Sequence, residues 1–237
     1  MSSIVFDAGP IISLTLNNLL HILPELKLRY NGDFYITREV YRELIEQPLG
    51  TKKYKFEAMQ ILPYIASGTL KIVEHDGVKA VAAGLEHSAN RAFSAERNHI
   101  RIVHPADMEV VAAALHLSSE AVVFDERTTR TLIEDPIALK NHLARKLHTD
   151  VIMDEDKVKD ISKQIGHLKV IRSFELVALA FELGFLDKFI APGEEIYVTG
   201  LKSKLLEGAL WSIKLSGCSV SQEEIEETLS LLGDKLL

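Results

Sequence analysis

Cysteine is almost missing from this chain. Cys218 is the single thiol in 237 residues, so neither an intrachain disulfide nor a thiolate metal site can form. Long apolar runs are missing too: a stretch such as Leu176 to Phe181 falls far short of the ~20 residues that span a bilayer. The opening MSSIVFD has no basic segment ahead of its first apolar run, so no signal peptide is expected and a cytoplasmic protein is. Positive charge is outweighed, with 27 Lys and Arg against 34 Asp and Glu and a net charge of −7. That argues against a general polyanion binder, but it leaves room for an enzyme that needs carboxylates and keeps a local basic rim. No GxSxG nucleophile elbow occurs, the nine histidines show no HExxH spacing, and there is no internal repeat.

What is present is an alternation of short apolar runs with helix-periodic stretches. Ile4 to Phe6 ends on Asp7, Ala8-Gly9-Pro10 reads as a turn, and Ile11 to Leu23 as a helix. Asn31-Gly32-Asp33 is a turn signal before Phe34-Tyr35-Ile36, and Thr37 is a good N-cap for a helix burying Val40, Leu44 and Ile45. A helix over Tyr54 to Ile65, a strand over Leu70 to Val73 and a helix over Val78 to Phe93 follow. His104-Pro105 then opens a buried helix carrying Asp107 and Val110 to Leu117, and Ala121 to Phe124 is a strand ending on Asp125. Such an order predicts an α/β fold, a parallel sheet covered on both faces. Residues 140–167, rich in Lys, Asp and His, read as an insertion before a last strand, Leu168 to Ile171, and a helix from Ser173 to Leu186. The expected organisation is one domain over 1–190 and a helical extension over 191–237. That extension holds helices near Lys202 to Leu215 and Ser221 to Leu232, the second opening on the capping-box spacing of Ser221 and Glu224.

In open parallel sheets, ligands bind beyond the carboxyl ends of the strands. Asp7 and Asp125 stand at such ends, Asp107 lies in the first turn of the helix leading to Asp125, and Glu43 lies on the helix after the second strand. Gathered carboxylates repel, and a hard divalent cation relieves them; oxygen ligands without His or Cys point to Mg²⁺ or Mn²⁺. Such a centre suits phosphodiester hydrolysis, since the ion activates water and orients the phosphate.

The same residues carry a resemblance. Ile4-Val5-Phe6-Asp7-Ala8-Gly9-Pro10-Ile11-Ile12 resembles the opening of PIN domains. Phe34-Tyr35-Ile36-Thr37 through Glu43-Leu44 resembles their second strand and glutamate-bearing helix. Asp107 with Ala112-Ala113-Ala114-Leu115, then Val122-Val123-Phe124-Asp125-Glu126-Arg127, resembles their third and fourth acidic positions. The ordered set covers about the first 135 residues. The resemblance implies an α/β/α sandwich with a five-stranded parallel sheet of order 3-2-1-4-5. It implies an Mg²⁺ or Mn²⁺ site of Asp7, Glu43, Asp107 and Asp125, and metal-dependent hydrolysis of RNA by a ribonuclease. Many relatives are toxins of toxin–antitoxin pairs, so a small antitoxin-like partner protein is a further expectation, with single-stranded RNA as substrate. Two positions depart from the pattern: Gly9 and Phe124 stand where PIN domains often carry Ser or Thr, removing hydrogen bonds that would support the site.

Plainer roles compete for each residue. Asp7 is also a natural helix cap, Asp107 a first-turn acid favoured by the helix dipole, and Glu43 one exposed helical glutamate beside Glu39 and Glu46. Glu126 competes with Asp125 as fourth ligand or adds to it. Arg127 and Arg130, on the helix after Asp125, are the candidates for contact with phosphate; Arg91, Arg97 and Arg101 are by default solvated charge. His99 and His104 read as surface or packing histidines near the site. Lys52-Lys53-Tyr54-Lys55 resembles a nucleic-acid contact, but a short lysine run is usually just a soluble loop. Trp211 and the stripe of Leu201, Leu205, Leu206 and Leu210 suit either the core or a second subunit, so a homodimer is one expectation. Against the endoribonuclease stand two rivals: a catalytically weak PIN-fold module that binds RNA or a protein, and a metal-dependent phosphatase.

Overall fold

The computed structural model describes residues 2–194 and 198–233. β1 (Ser3–Phe6) is buried along its whole length, as an apolar strand covered on both faces must be. Asp7 follows it and caps α1 (Ala8–Leu16) by accepting the Gly9 N–H. Ala8-Gly9-Pro10 is therefore the first turn of the helix and not a separate turn before it. Proline fits there because first-turn N–H groups have no intrahelical acceptor. α2 (Ile22–Tyr30) ends at Asn31 in the left-handed conformation and leads into β2 (Asp33–Ile36). Thr37 caps α3 (Arg38–Tyr41) by accepting the Val40 N–H, as its position after the strand predicts. That helix runs on through a π-helical turn, Arg42–Glu46, into α4 (Gln47–Leu49).

α5 (Lys55–Ala66), β3 (Leu70–Ile72) and α6 (Asp76–Ala89) follow. The helix expected to reach Phe93 stops at Ala89, and the reason is Asn90. Its side chain accepts from the N–H groups of Ile102 and Val103 and donates to the Val103 carbonyl, so the chain must turn back there. Phe93, fully buried, instead opens β4 (Phe93–Ala95), which pairs antiparallel with β5 (Asn98–His99). α7 (Pro105–His116), β6 (Ala121–Val123), α8 (Arg127–Glu134) and α9 (Pro136–Leu147) come next. Within residues 140–167, β7 (Ile152–Met153) is added antiparallel to β4 as the far edge of this small second sheet. α10 (Glu155–Ile165), β8 (Lys169–Ile171), α11 (Ser173–Glu182), α12 (Leu201–Leu215) and α13 (Gln222–Gly233) complete the order.

The main sheet has the order β3-β2-β1-β6-β8, every pairing parallel. Counted within that sheet alone, this is the expected 3-2-1-4-5. α7 packs on β1 and β6 with α6 beside it, while α1, α5 and α11 pack together as the second helical layer. Leu206, Leu210 and Ile213 of α12 and Ile225 of α13 are buried in the same core, with Trp211 packed partly buried against it. Among the described residues, no helix is long and apolar enough to cross a membrane.

Candidate functional site

The sheet order decides where the acids go. Phe6 of β1 pairs with Val123 of β6 and with Ile36 of β2, so Asp7, Thr37 and the Phe124–Asp125 pair leave the same carboxyl edge. The Asp7 N–H still donates to the Val123 carbonyl, 3.0 Å away. Gly9 separates the two aspartates: a Cβ added there would lie 3.3 Å from Asp7 Oδ2 and 3.8 Å from Asp125 Cβ. A side chain at that position would require the Asp7 carboxylate to shift by a few tenths of an ångström.

Asp7, Glu43 and Asp107 form one electrostatic set. Burial, then the charge of Asp107, push the Asp7 carboxyl up to about 7 against the pull of the Ala8 and Gly9 N–H groups, with Glu43 adding the smallest push. The Asp107 carboxyl is raised by burial and by Glu126, although its Oδ2 accepts the His104 N–H at 2.9 Å. Glu43 is exposed as a residue, yet its carboxyl is raised by partial desolvation and by Asp107 and Glu39, with Arg42 opposing. None of Asp7, Glu43, Asp107 and Glu126 is in an ion pair among the described residues. A surface that collects carboxylates without basic partners is chemically suited to a cation. At their present separation no three of the described Asp, Glu, His or Cys side chains form a group that could hold a metal.

Asp125 is placed differently. It is buried, and its carboxylate accepts three hydrogen bonds: the Ser173 N–H at 2.8 Å, the Ser173 hydroxyl at 2.7 Å and the Ser13 hydroxyl at 2.9 Å. These tie β6 to α1 and α11. The hydrogen bonds whose loss was expected from Gly9 and Phe124 are thus supplied by Ser13 and Ser173, while Phe124 is a fully buried core residue. Neither serine stands at a motif position, so only the three-dimensional neighbourhood reveals them. Glu126, by contrast, is exposed, caps α8 through the Thr129 N–H at 2.7 Å, and is the acid that Asp107 faces.

The two candidate arginines part company. Arg127 is exposed and its Nε donates to the Ser219 hydroxyl at 3.0 Å. Arg130 has a buried Nε without a hydrogen-bond partner among the described residues, and its charge acts on Glu224 of α13. Ser219 is a residue that the sequence did not single out. Its N–H donates to the Asp125 carbonyl at 2.9 Å and its carbonyl accepts from Arg172 Nη1 at 3.0 Å. His104 stands at the start of α7 beside Asp107, whereas His99 lines a separate hollow with Glu86, His87 and Arg91 that includes none of the acids. Arg101 pairs with Glu86 at 3.6 Å.

A family model described as a PIN domain, DUF3368, matches residues 3–135. Neither a curated protein nor a solved structure matches the chain.

Proposed function

Because the chain belongs to the PIN-domain family, we propose that it is an endoribonuclease dependent on Mg²⁺ or Mn²⁺, acting on single-stranded RNA. The observation that supports the reading is the set of Asp7, Glu43 and Asp107, raised together near the carboxyl edge of the sheet and in no ion pair among the described residues. Asp7, Glu43 and Asp107 would hold the cation, with Glu126 at the mouth and Asp125 fixing the floor from behind. A bound ion of this kind supplies Lewis acidity and charge neutralisation for phosphodiester hydrolysis. Mg²⁺ commonly takes only one or two carboxylates and completes its shell with water and phosphate, which suits acids that are gathered but not in contact.

The chain's own groups do the rest. Asp7 is oriented by the Ala8 and Gly9 N–H groups and Asp107 by the His104 N–H. Arg127, held by Ser219, stands at the start of α8 beside Glu126, where its guanidinium meets a phosphate oxygen of the substrate. Arg130 supports this rim through Glu224. Residues 1–190 form the nuclease domain, 140–167 an insertion in it, and 191–237 an extension whose helices α12 and α13 pack on its core. We place the protein in the cytoplasm. The relationship to toxins leaves a small antitoxin-like protein and a homodimer as partners to be sought.

The experiment is cleavage of end-labelled single-stranded RNA and DNA with Mn²⁺, Mg²⁺ or EDTA. Metal-dependent cutting of RNA is expected in the wild type. In Asp7→Asn and Asp107→Asn it falls by at least about a hundredfold with an unchanged circular-dichroism spectrum. No cutting by the wild type with either metal would leave a PIN-fold module that binds without cleaving.

A further inference from the structure

A cleft of about 480 Å³ opens beside the acids, between α1, the π-turn and α5, and Glu43 lies in its wall. Its floor is apolar, built from Ile12, Leu44, Ala58 and Ile61. Over its rim stands Tyr54, 47% exposed. Tyr54 occupies the left-handed region at φ 62°, ψ 13°, a conformation that a bulky side chain seldom adopts. Thr51 holds the approach to it by donating to the Lys53 carbonyl at 2.8 Å. The result is an aromatic ring kept out of the core, which is where a tyrosine would otherwise gain most.

Three lysines flank Tyr54 in sequence, and one of them, Lys53, lines the cleft with it. Lys52, Lys53 and Lys55 are exposed and none is in an ion pair among the described residues. Lys53 Nζ lies 4.5 Å from the centre of the Tyr54 ring. In a chain of net charge −7, this short run puts positive charge at the rim of a cleft whose wall carries Glu43 and Glu57. Aromatic faces that stack bases, beside cations that meet phosphates, are the means by which single strands are held without base pairing.

We propose that this cleft is a nucleobase site, in which an unpaired base of single-stranded RNA stacks on Tyr54 while Lys52, Lys53 and Lys55 meet the flanking phosphates. Glu43 belongs both to the cleft wall and to the acid set, so a base seated here brings its neighbouring phosphodiester to the acids. The proposal rests on the nuclease reading and assigns its substrate a binding position. An apolar peptide would also fill the floor, but it would leave the lysines without a counter-charge and would give the link to Glu43 no purpose.

The test is fluorescence anisotropy of a labelled single-stranded RNA 12-mer in EDTA, where binding is read without cleavage. Tyr54→Ala is expected to weaken RNA binding about 10- to 100-fold, Tyr54→Phe to keep it, and inorganic polyphosphate to bind both equally, since it offers charge and no base. The triple variant Lys52→Ala, Lys53→Ala, Lys55→Ala should lower the slope of log affinity against log salt by about 2. Unchanged RNA affinity in Tyr54→Ala, or an equal loss for RNA and polyphosphate, overturns the base site, as does a wild type that does not bind the RNA. A stacking effect in a protein that cuts nothing with any metal would keep the base site and remove the nuclease.

Discussion

Asp7 and Asp125 are separated by little more than Gly9, yet they should respond oppositely to substitution. Asp7 has its carboxyl raised from an ordinary value of 3.8 to about 7. The unfolded chain ionises this group first, so its contribution to stability falls as pH rises from about 4 and levels off above 7. Asn keeps the helix cap and removes the charge. Asp7→Asn should therefore stabilise the metal-free protein at pH 8 by roughly 2 kcal/mol, a value discounted for the partial exposure of the residue, and the gain should vanish near pH 4. Asp125→Ala should do the reverse. It strands the hydroxyls of Ser13 and Ser173 and the Ser173 N–H, at a cost of about 3 kcal/mol. Urea melts of both variants at pH 8 and pH 4 check the pair; destabilisation by Asp7→Asn at pH 8 would show that its charge is already compensated. The sequence places both aspartates at strand ends, and both are there. It does not separate the acid raised by its neighbours from the one tied by two serines, because Ser13 and Ser173 are 160 residues apart along the chain and meet Asp125 only in the folded state.

At the scale of elements, most strands and helices were legible because the apolar runs are bounded by caps or turn residues, but the helix expected over Ile11 to Leu23 ends at Leu16, and α2 starts anew at Ile22. The π-turn at Arg42–Glu46 was not legible, since Leu44 and Ile45 fit an ordinary helix as well. Its consequence is local: consecutive Leu44 and Ile45 are both buried, and Glu43 is left at the rim shared by cleft and acids. Nor does the pattern reveal how the C-terminal helices are fastened. The buried Arg172 guanidinium bonds to Glu175, to Glu224 at 2.8 Å and to the Ser219 carbonyl, while Cys218 and Val220 are buried on either side of Ser219. Burial, with Asp125 nearby, pushes the Cys218 thiol up to about 12, so it should not react with Ellman's reagent at pH 8 in the folded protein. Arg172→Met removes the tie and leaves Glu224 with only the Ser221 N–H and the Arg130 charge. It should cost about 2–4 kcal/mol and make Cys218 reactive well below the global unfolding transition. A Cys218 that reacts in the wild type as fast as in the variant would mean that this segment is not held by Arg172.

For the whole molecule, the parallel sheet is what turns scattered acids into a site. Asp7, Glu43 and Asp107 span 100 residues of sequence, and the 3-2-1-4-5 order brings the ends of β1 and β6 together with α3 and α7 close by. That order came from the resemblance; the alternation of elements by itself allowed several. The net charge of −7, weighed alone, speaks against a general polyanion binder and leaves room for an enzyme. It is better understood by location, with acids concentrated at the sheet edge and unpaired lysines at the adjoining cleft.

The central claim, that these carboxylates form a cation site, is tested most directly by calorimetric titration of the metal-free protein with Mn²⁺ at pH 6.5 in buffers of different ionisation enthalpy. Binding is expected with release of protons, because a carboxyl raised to about 7 must give up its proton to a cation, and both binding and release should be lost in Asp7→Asn. Absence of binding by the wild type, or binding that Asp7→Asn leaves unchanged, would contradict the account.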